Sequence, residues 1–223
     1  MITLGIDTSA NMISVALTEG KTLLGDFFAK TRQNHSALLL PAINSLLSHC
    51  GLSIDEVERY CVTQGPGSFT GLRIGVATAK GLAAAQSKPC AGVSTLSAMA
   101  AGAASLDGTL CCAMDARRMQ VYAALFHKTR LCEDEALAIT ELGQRLEALD
   151  GPVWFLGDGA DLCYENMLKR EGWRLAPEQL RYQRAYGAII AADESDYCPA
   201  EALRVTYLRP SQAERERKEN LGG

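Results

Sequence analysis

The sequence is short of the features that would assign it to a ready-made class. It has three histidines, His35, His49 and His127, and no two stand three or four residues apart as a helical zinc or iron pair would. It has no excess of basic residues. A formal net charge of -4 argues against unaided binding to a phosphate backbone, though not against a place in a nucleic-acid pathway. No run of about 18 apolar residues occurs, and Met1-Ile2-Thr3-Leu4 has neither the basic flank nor the apolar stretch of a signal peptide. A cytoplasmic protein with no membrane association is expected. The eight cysteines include no Cys-x-x-Cys pair, and Cys61, Cys90, Cys111, Cys112 and Cys132 lie in or beside strand-like apolar runs, so they read as reduced core thiols.

What is present is an ordinary globular composition, 48% hydrophobic and 22% charged over 223 residues, enough for one large domain or two small ones. The stretch that organises it is Gly65 to Gln86. In Gly65-Pro66-Gly67-Ser68, proline fixes one φ and the glycines reach positive φ, so the preceding strand must reverse. Ser68 or Thr70 then caps a helix whose only charges are Arg73 and Lys80. Gly71, Gly75, Ala79 and Ala83 strip one face of that helix to its backbone, so another element can approach closely.

Around this stretch the order is three strands (residues 2–8, 13–18 and 22–29, the last two joined through Glu19-Gly20-Lys21), a helix, a strand, the Gly65 turn and helix, a strand and a helix. The helix over 36–50 carries Leu39, Ile43, Leu46 and Leu47 at helical spacing. Pro41 predicts that it either kinks or begins near Leu40. The second half repeats the pattern with strands at 109–114, 119–126 and 136–140, a helix at 141–149, a strand at 153–157 and helices at 161–171 and 185–193. Two α/β lobes are expected, 1–105 and 106–212, followed by a mobile charged tail, 213–223.

Asp7 ends the first strand and Asp115 the first strand of the second half. In a duplicated fold the two could face one cleft and hold a metal-bound nucleotide, or each could simply satisfy turn amides. The turn at Gly67 and Ser68 could present amides to an anion at a helix N-terminus. It could equally be a tight structural turn, since no Walker or G-x-G-x-x-G pattern is present. In Asp115-Ala116-Arg117-Arg118 the two cations could bridge to the other lobe or capture an anion. His35, ahead of the leucine-rich helix, could cap it or touch a partner.

Ile6-Asp7-Thr8-Ser9, His35-Ser36, Gly65-Pro66-Gly67-Ser68-Phe69-Thr70-Gly71-Leu72-Arg73-Ile74-Gly75, Gly92-Val93-Ser94-Thr95-Leu96, Met114-Asp115-Ala116-Arg117 and Tyr207-Leu208-Arg209 together resemble the TsaB (YeaZ) family, over nearly the whole chain. One departure is Val205, where the family usually has proline. The resemblance implies an actin-like, ribonuclease-H-like duplicated α/β fold, each lobe a mixed sheet with helices. It also implies a support subunit for the transferase TsaD, working with the ATPase TsaE in making threonylcarbamoyladenosine beside the tRNA anticodon, and meeting tRNA only through that complex. TsaD-like proteins carry a His-Met-Glu-Gly-His segment whose outer histidines bind metal; Thr95 and Met99 stand at those positions here, and neither replaces an imidazole. No metal, cofactor or catalytic residue is therefore expected.

The partner surface is assigned to His35, Leu39 and Ile43 on one helix and to Gly71, Gly75, Ala79 and Ala83 on the other. The same surface is expected to form a homodimer when the protein is alone. Asp7, Gly67, Ser68 and Asp115 are kept as possible anion or nucleotide contacts. The alternative is an enzyme acting alone, an actin-like phosphotransferase or a metallopeptidase.

Overall fold

The computed structural model describes residues 1–30 and 34–209. The expected tail at 213–223 lies outside them. The first half contributes β1 (Ile2–Asp7), β2 (Met12–Glu19), β3 (Thr22–Lys30), α1 (His35–His49), β4 (Arg59–Gly65), α2 (Phe69–Gln86), β5 (Cys90–Ser94) and α3 (Thr95–Gly102). The second contributes β6 (Thr109–Asp115), β7 (Gln120–His127), β8 (Thr129–Arg130), β9 (Glu135–Ala138), α4 (Ile139–Glu147), β10 (Val153–Leu156), α5 (Ala160–Asn166), β11 (Trp173–Leu175) and α6 (Glu178–Arg181). Last come α7 (Ala185–Ala191) and β12 (Tyr197–Cys198).

Two mixed sheets result, ordered β12-β5-β4-β1-β2-β3 and β11-β10-β6-β7-β8, with β9 also paired to β7. The runs β5-β4-β1-β2-β3 and β11-β10-β6-β7-β9 follow one plan. An antiparallel meander is continued by two parallel strands, each reached through a crossover helix. The repeated element order of the sequence is thus a repeated topology, that of the actin-like, ribonuclease-H-like α/β fold.

Period-two alternation assigns each strand's residues to opposite layers. Leu4, Ile6, Tyr60 and Val62 point into a core with Leu39, Ile43, Leu47, Val76, Ala79 and Ala83, under α1 and α2. Cys61, Ala16 and Ala91 point the other way, against Ala185, Ala188 and Ile189 of α7. In the second sheet Cys111 and Ala113 face α4 and α5, whereas Cys112 and Met114 face Leu96 and Met99 of α3 and Ala103 at its end. The molecule is therefore layered: α1 and α2, first sheet, α3 with α7, second sheet, α4 with α5.

Three features differ from the sequence expectation. Helix α1 starts at His35 and runs through Pro41, which excludes the second of the two expectations there, a start near Leu40, since buried Leu39, Ala42 and Ile43 hold both sides of the proline against the sheet. The helix expected at 161–171 stops at Asn166, and Trp173, 7% exposed, turns the chain back into the second core as β11. Finally, residues 185–203, placed by the sequence in the second lobe, physically complete the first sheet. Helix α7 packs on β1, β2 and β4, and β12 pairs antiparallel with β5. Gly5 makes the approach of α7 possible, because a Cβ there would sit 2.8 Å from the Ala185 carbonyl. Ser14 Oγ accepts the Ala185 amide at 3.0 Å, and Cys61 Sγ donates to the Ala188 carbonyl at 3.3 Å. No described helix is long and apolar enough to cross a membrane.

Candidate functional site

Strands β1, β6 and β10 end side by side at a cleft between the two halves, with a volume of about 410 Å³. Ser9, Gly67, Ser68, Asp115, Asp158 and Arg209 are among its lining residues. The structure thus brings Asp115, Gly67 and Ser68 to one cleft. Asp7 sits beneath its floor, 1% exposed, and reaches it through Ser9. One Asp7 oxygen accepts the Ser9 amide at 2.9 Å and the Ser9 hydroxyl at 2.8 Å; the other, Oδ2, is buried without a partner. Burial pushes the Asp7 carboxyl above its usual range, against the bonds from Ser9. The Thr63 hydroxyl lies near enough to favour the charged form slightly, yet outside hydrogen-bonding geometry.

Asp115 is occupied locally: it accepts the Arg117 amide at 2.7 Å and pairs with the Arg117 guanidinium at 3.1 Å. The Asp-Ala-Arg-Arg turn therefore closes on itself rather than bridging the lobes. It runs through positive φ at Arg117, Arg118 and Met119. The glycine turn is also spent on structure. The Ser68 amide donates to the Ser9 carbonyl at 2.7 Å, a Cβ on Gly67 would lie 2.5 Å from that oxygen, and Ser68 Oγ caps α2 by accepting the Gly71 amide at 3.3 Å. Of the two amides in that turn, the Ser68 amide is thus committed within the chain.

The third acid, Asp158, was not singled out from the sequence. It follows β10 in Gly157-Asp158-Gly159, where the signal was a third carboxylate at a strand end. Burial first, then Asp115 and Asp7, push it up to about 6, against a 2.9 Å bond from the Gln183 amide. Over the cleft runs the segment that follows Leu203. The Thr206 amide donates to the Gln64 carbonyl at 2.8 Å, Tyr207 stacks on Phe69 at 4.7 Å, and Arg209 donates to Gln120 at 2.6 Å. Tyr207-Leu208-Arg209 therefore ties the first half to the second.

The partner face needs correction at most of its expected positions. Gly71, Gly75, Ala79 and Ala83 are buried against the chain's own first sheet. The Thr8 hydroxyl donates to the Gly71 carbonyl at 2.7 Å, and a Cβ on Gly75 would collide with that same hydroxyl. The close approach read from the small residues is real, but the approaching backbone is the chain's own, at Thr8 just past β1, and the helix packs chiefly on β4. Leu39 and Ile43, 1% and 0% exposed, likewise belong to the first core. His35 is half-buried at the start of α1, and burial lowers its pKa.

What α1 and α2 present outward is a different set. On α1 these are Ala37, Leu40, Pro41 and Asn44; on α2 they are Arg73, Ala77, Gly81, Ala84 and Ala85, flanked by half-buried Ile74, Thr78 and Leu82. Leu40 is 48% exposed. The helices touch each other on the same side of the sheet, and between them carry no acid. Of the two cations, Lys80 is turned to the Glu201 and Leu203 carbonyls, and Arg73 lies 3.8 Å above the Phe69 ring.

Comparison with known proteins agrees with this architecture. The family model described as TsaD, tRNA N6-adenosine threonylcarbamoyltransferase, matches residues 28–150. The tRNA threonylcarbamoyladenosine biosynthesis protein TsaB of Bacillus subtilis is 32% identical over 222 residues, covering 96% of each chain. TsaB of Escherichia coli is 35% identical over 187 residues, covering 78% of this chain and 80% of that one. Among solved structures, YeaZ from Pseudomonas aeruginosa superposes with a TM-score of 0.77 at 24% identity, over 93% of this chain and 99% of that one. With its duplicated fold and its match along most of the length of these relatives, the chain belongs to the TsaB family of tRNA threonylcarbamoyladenosine biosynthesis proteins.

Proposed function

We propose that the protein acts in tRNA threonylcarbamoyladenosine synthesis as a non-catalytic subunit, docking a TsaD-like transferase on the outward face of α1 and α2 and working with a TsaE-like ATPase in the cytoplasm. The observation that carries this reading is the uncharged surface formed by Leu40, Pro41, Ala77, Gly81 and Ala84, on a protein whose residues are otherwise 22% charged. A smooth, weakly solvated patch of this kind has the composition of an interface core. The same patch supports self-association when the transferase is absent, and tRNA would be met only through the complex. Identity with proteins named for this biosynthesis supports the pathway.

Catalysis by the chain alone has less support. A phosphotransferase needs donors for the transferred phosphoryl group. The Ser68 amide and Asp115, however, are engaged within the chain, and the unpaired Asp7 oxygen beneath the floor offers a phosphoryl group an acceptor rather than a donor. The peptidase alternative would need ligands at positions 95 and 99, where Thr95 and Met99 are packed into the interior.

The test is a reconstitution from purified components with Ala77→Arg and Leu40→Glu in place of the wild-type chain. Both variants are expected to fold, to stop co-eluting with the transferase, and to lose threonylcarbamoyl transfer while adenylate synthesis continues. Unimpaired co-elution would place the docking surface elsewhere. Micromolar ATP binding by the isolated chain in magnesium would favour the enzymatic reading.

A further inference from the structure

Strand β12 is two residues long, and it brings Cys198 directly opposite Cys90 of β5. Residues opposite each other in an antiparallel ladder project from the same face, with Cα atoms about 4.5–5.5 Å apart. That spacing lies inside the range of roughly 4.4–6.8 Å that a disulfide spans. Each thiol already lies over its partner's backbone: Cys198 Sγ donates to the Cys90 carbonyl at 3.4 Å, and Cys90 Sγ to the Cys198 carbonyl at 3.7 Å. Both are free thiols.

Their surroundings differ in a useful way. Cys198 lines an open groove of about 450 Å³ between the end of α2 and residues 197–201, beside Lys88 and Glu201. Cys90 is fully buried behind it, and burial, followed by the neighbouring Cys198, pushes its thiol up to about 11. Cys198 is thus partly exposed at the groove, and Cys90 is buried behind it.

We propose that Cys90 and Cys198 form a redox-active dithiol, joined reversibly by a hydroperoxide. The Cys198 thiolate attacks the peroxide, the O–O bond breaks, and a sulfenic acid forms as the departing oxygen leaves, protonated, as water or an alcohol. Cys90 then attacks the sulfenic sulfur, the S–O bond breaks, and hydroxide leaves with the Cys90 proton as water. Two thiols are oxidised and one peroxide is reduced. The link joins residues 108 apart and staples β12, and with it the returning segment 185–203, to the first sheet. Cys111 and Cys163 are also near neighbours, but both are buried in the second core. Cys132, half-exposed, also neighbours Cys111 but is not its partner across a strand pair, so the facing thiols at the groove are the ones set to link. The reaction is independent of the partner proposed above.

The experiment treats reduced full-length protein with hydrogen peroxide, alkylates the remaining thiols and maps the digest by mass spectrometry. The expected result is one peptide pair linked through Cys90 and Cys198, reversed by dithiothreitol, with slower amide exchange over 197–203 in the oxidised form. Cys198→Ser, at a partly exposed edge position, keeps the fold and abolishes the link. Separate alkylation of both residues after oxidation overturns the proposal. So does Cys198 recovered as sulfinic acid without a link, or a link mapping to Cys111 and Cys163.

Discussion

Asp158 shows how burial, rather than sequence, sets the chemistry of a residue. Its carboxyl is held near 6 against an ordinary 3.8, chiefly by desolvation. The folded chain therefore binds this proton more tightly than the unfolded chain does. The associated stability is complete below pH 3.8 and is lost as pH rises through about 6. Across that window the single group lowers stability by on the order of 2–3 kcal/mol. Asp7, also raised by burial, acts with the same sign. Asp158→Asn should consequently gain stability relative to wild type as the pH rises through the window, with part of the slope left by Asp7. Urea titrations on either side of the window check this; parallel pH profiles for the two proteins would refute it. Asp7 and Asp115 could be picked out as strand-end acids because a carboxylate closing a strand is a local pattern. That one is buried and half-satisfied while the other is held by its own arginine depends on which elements close over them.

Helix α2 has two faces with opposite duties, and paired substitutions separate them. Gly75→Ala puts a methyl group against Thr8, Ile6 and Val62 and is expected to destabilise the isolated chain by about 1–3 kcal/mol. Ala77→Arg, two residues on and exposed, should leave stability within about 0.5 kcal/mol and act on partner binding alone. Chemical denaturation of both variants, set beside co-elution with the transferase, distinguishes the faces. If Gly75→Ala were as stable as wild type, the packing of α2 on β1 would be wrong. The sequence showed that a backbone approaches at Gly71 and Gly75, because only small residues permit it. It did not show whose backbone. A helix apolar nearly all round offers no polar stripe to mark its outside, so the sequence pattern points a partner at the inner face. Pro41 leaves a kink or a later start open in the sequence, and the later start fails for a related reason. A missing amide weakens one turn of α1, but Leu39 and Ile43 on either side are anchored in the core, and packing outweighs a single lost bond.

At the scale of the whole molecule, the first sheet is not finished by the first half of the chain. Ala16, Cys61, Ala91 and Val93 form a face covered by α7, and β5 would end as an open edge without β12. A fragment of residues 1–105 should therefore fail to unfold cooperatively and should aggregate through that face and edge. Co-expression with residues 106–209 should restore solubility and a single transition. A monomeric fragment 1–105 with a cooperative urea transition would show that the first half is an independent domain.

The sequence by itself determined the element order, its repetition, the glycine turn with its capping serine, and the family, because each of these is written in neighbouring residues or in short-period patterns. Tertiary structure alone decided the rest: that the small-residue line of α2 faces the chain's own first sheet, that the chain returns at Ala185 to complete that sheet, and that Cys198 meets Cys90. These depend on residues far apart in the chain being pressed together by burial of apolar surface. Such pairings leave no periodic mark in a single sequence.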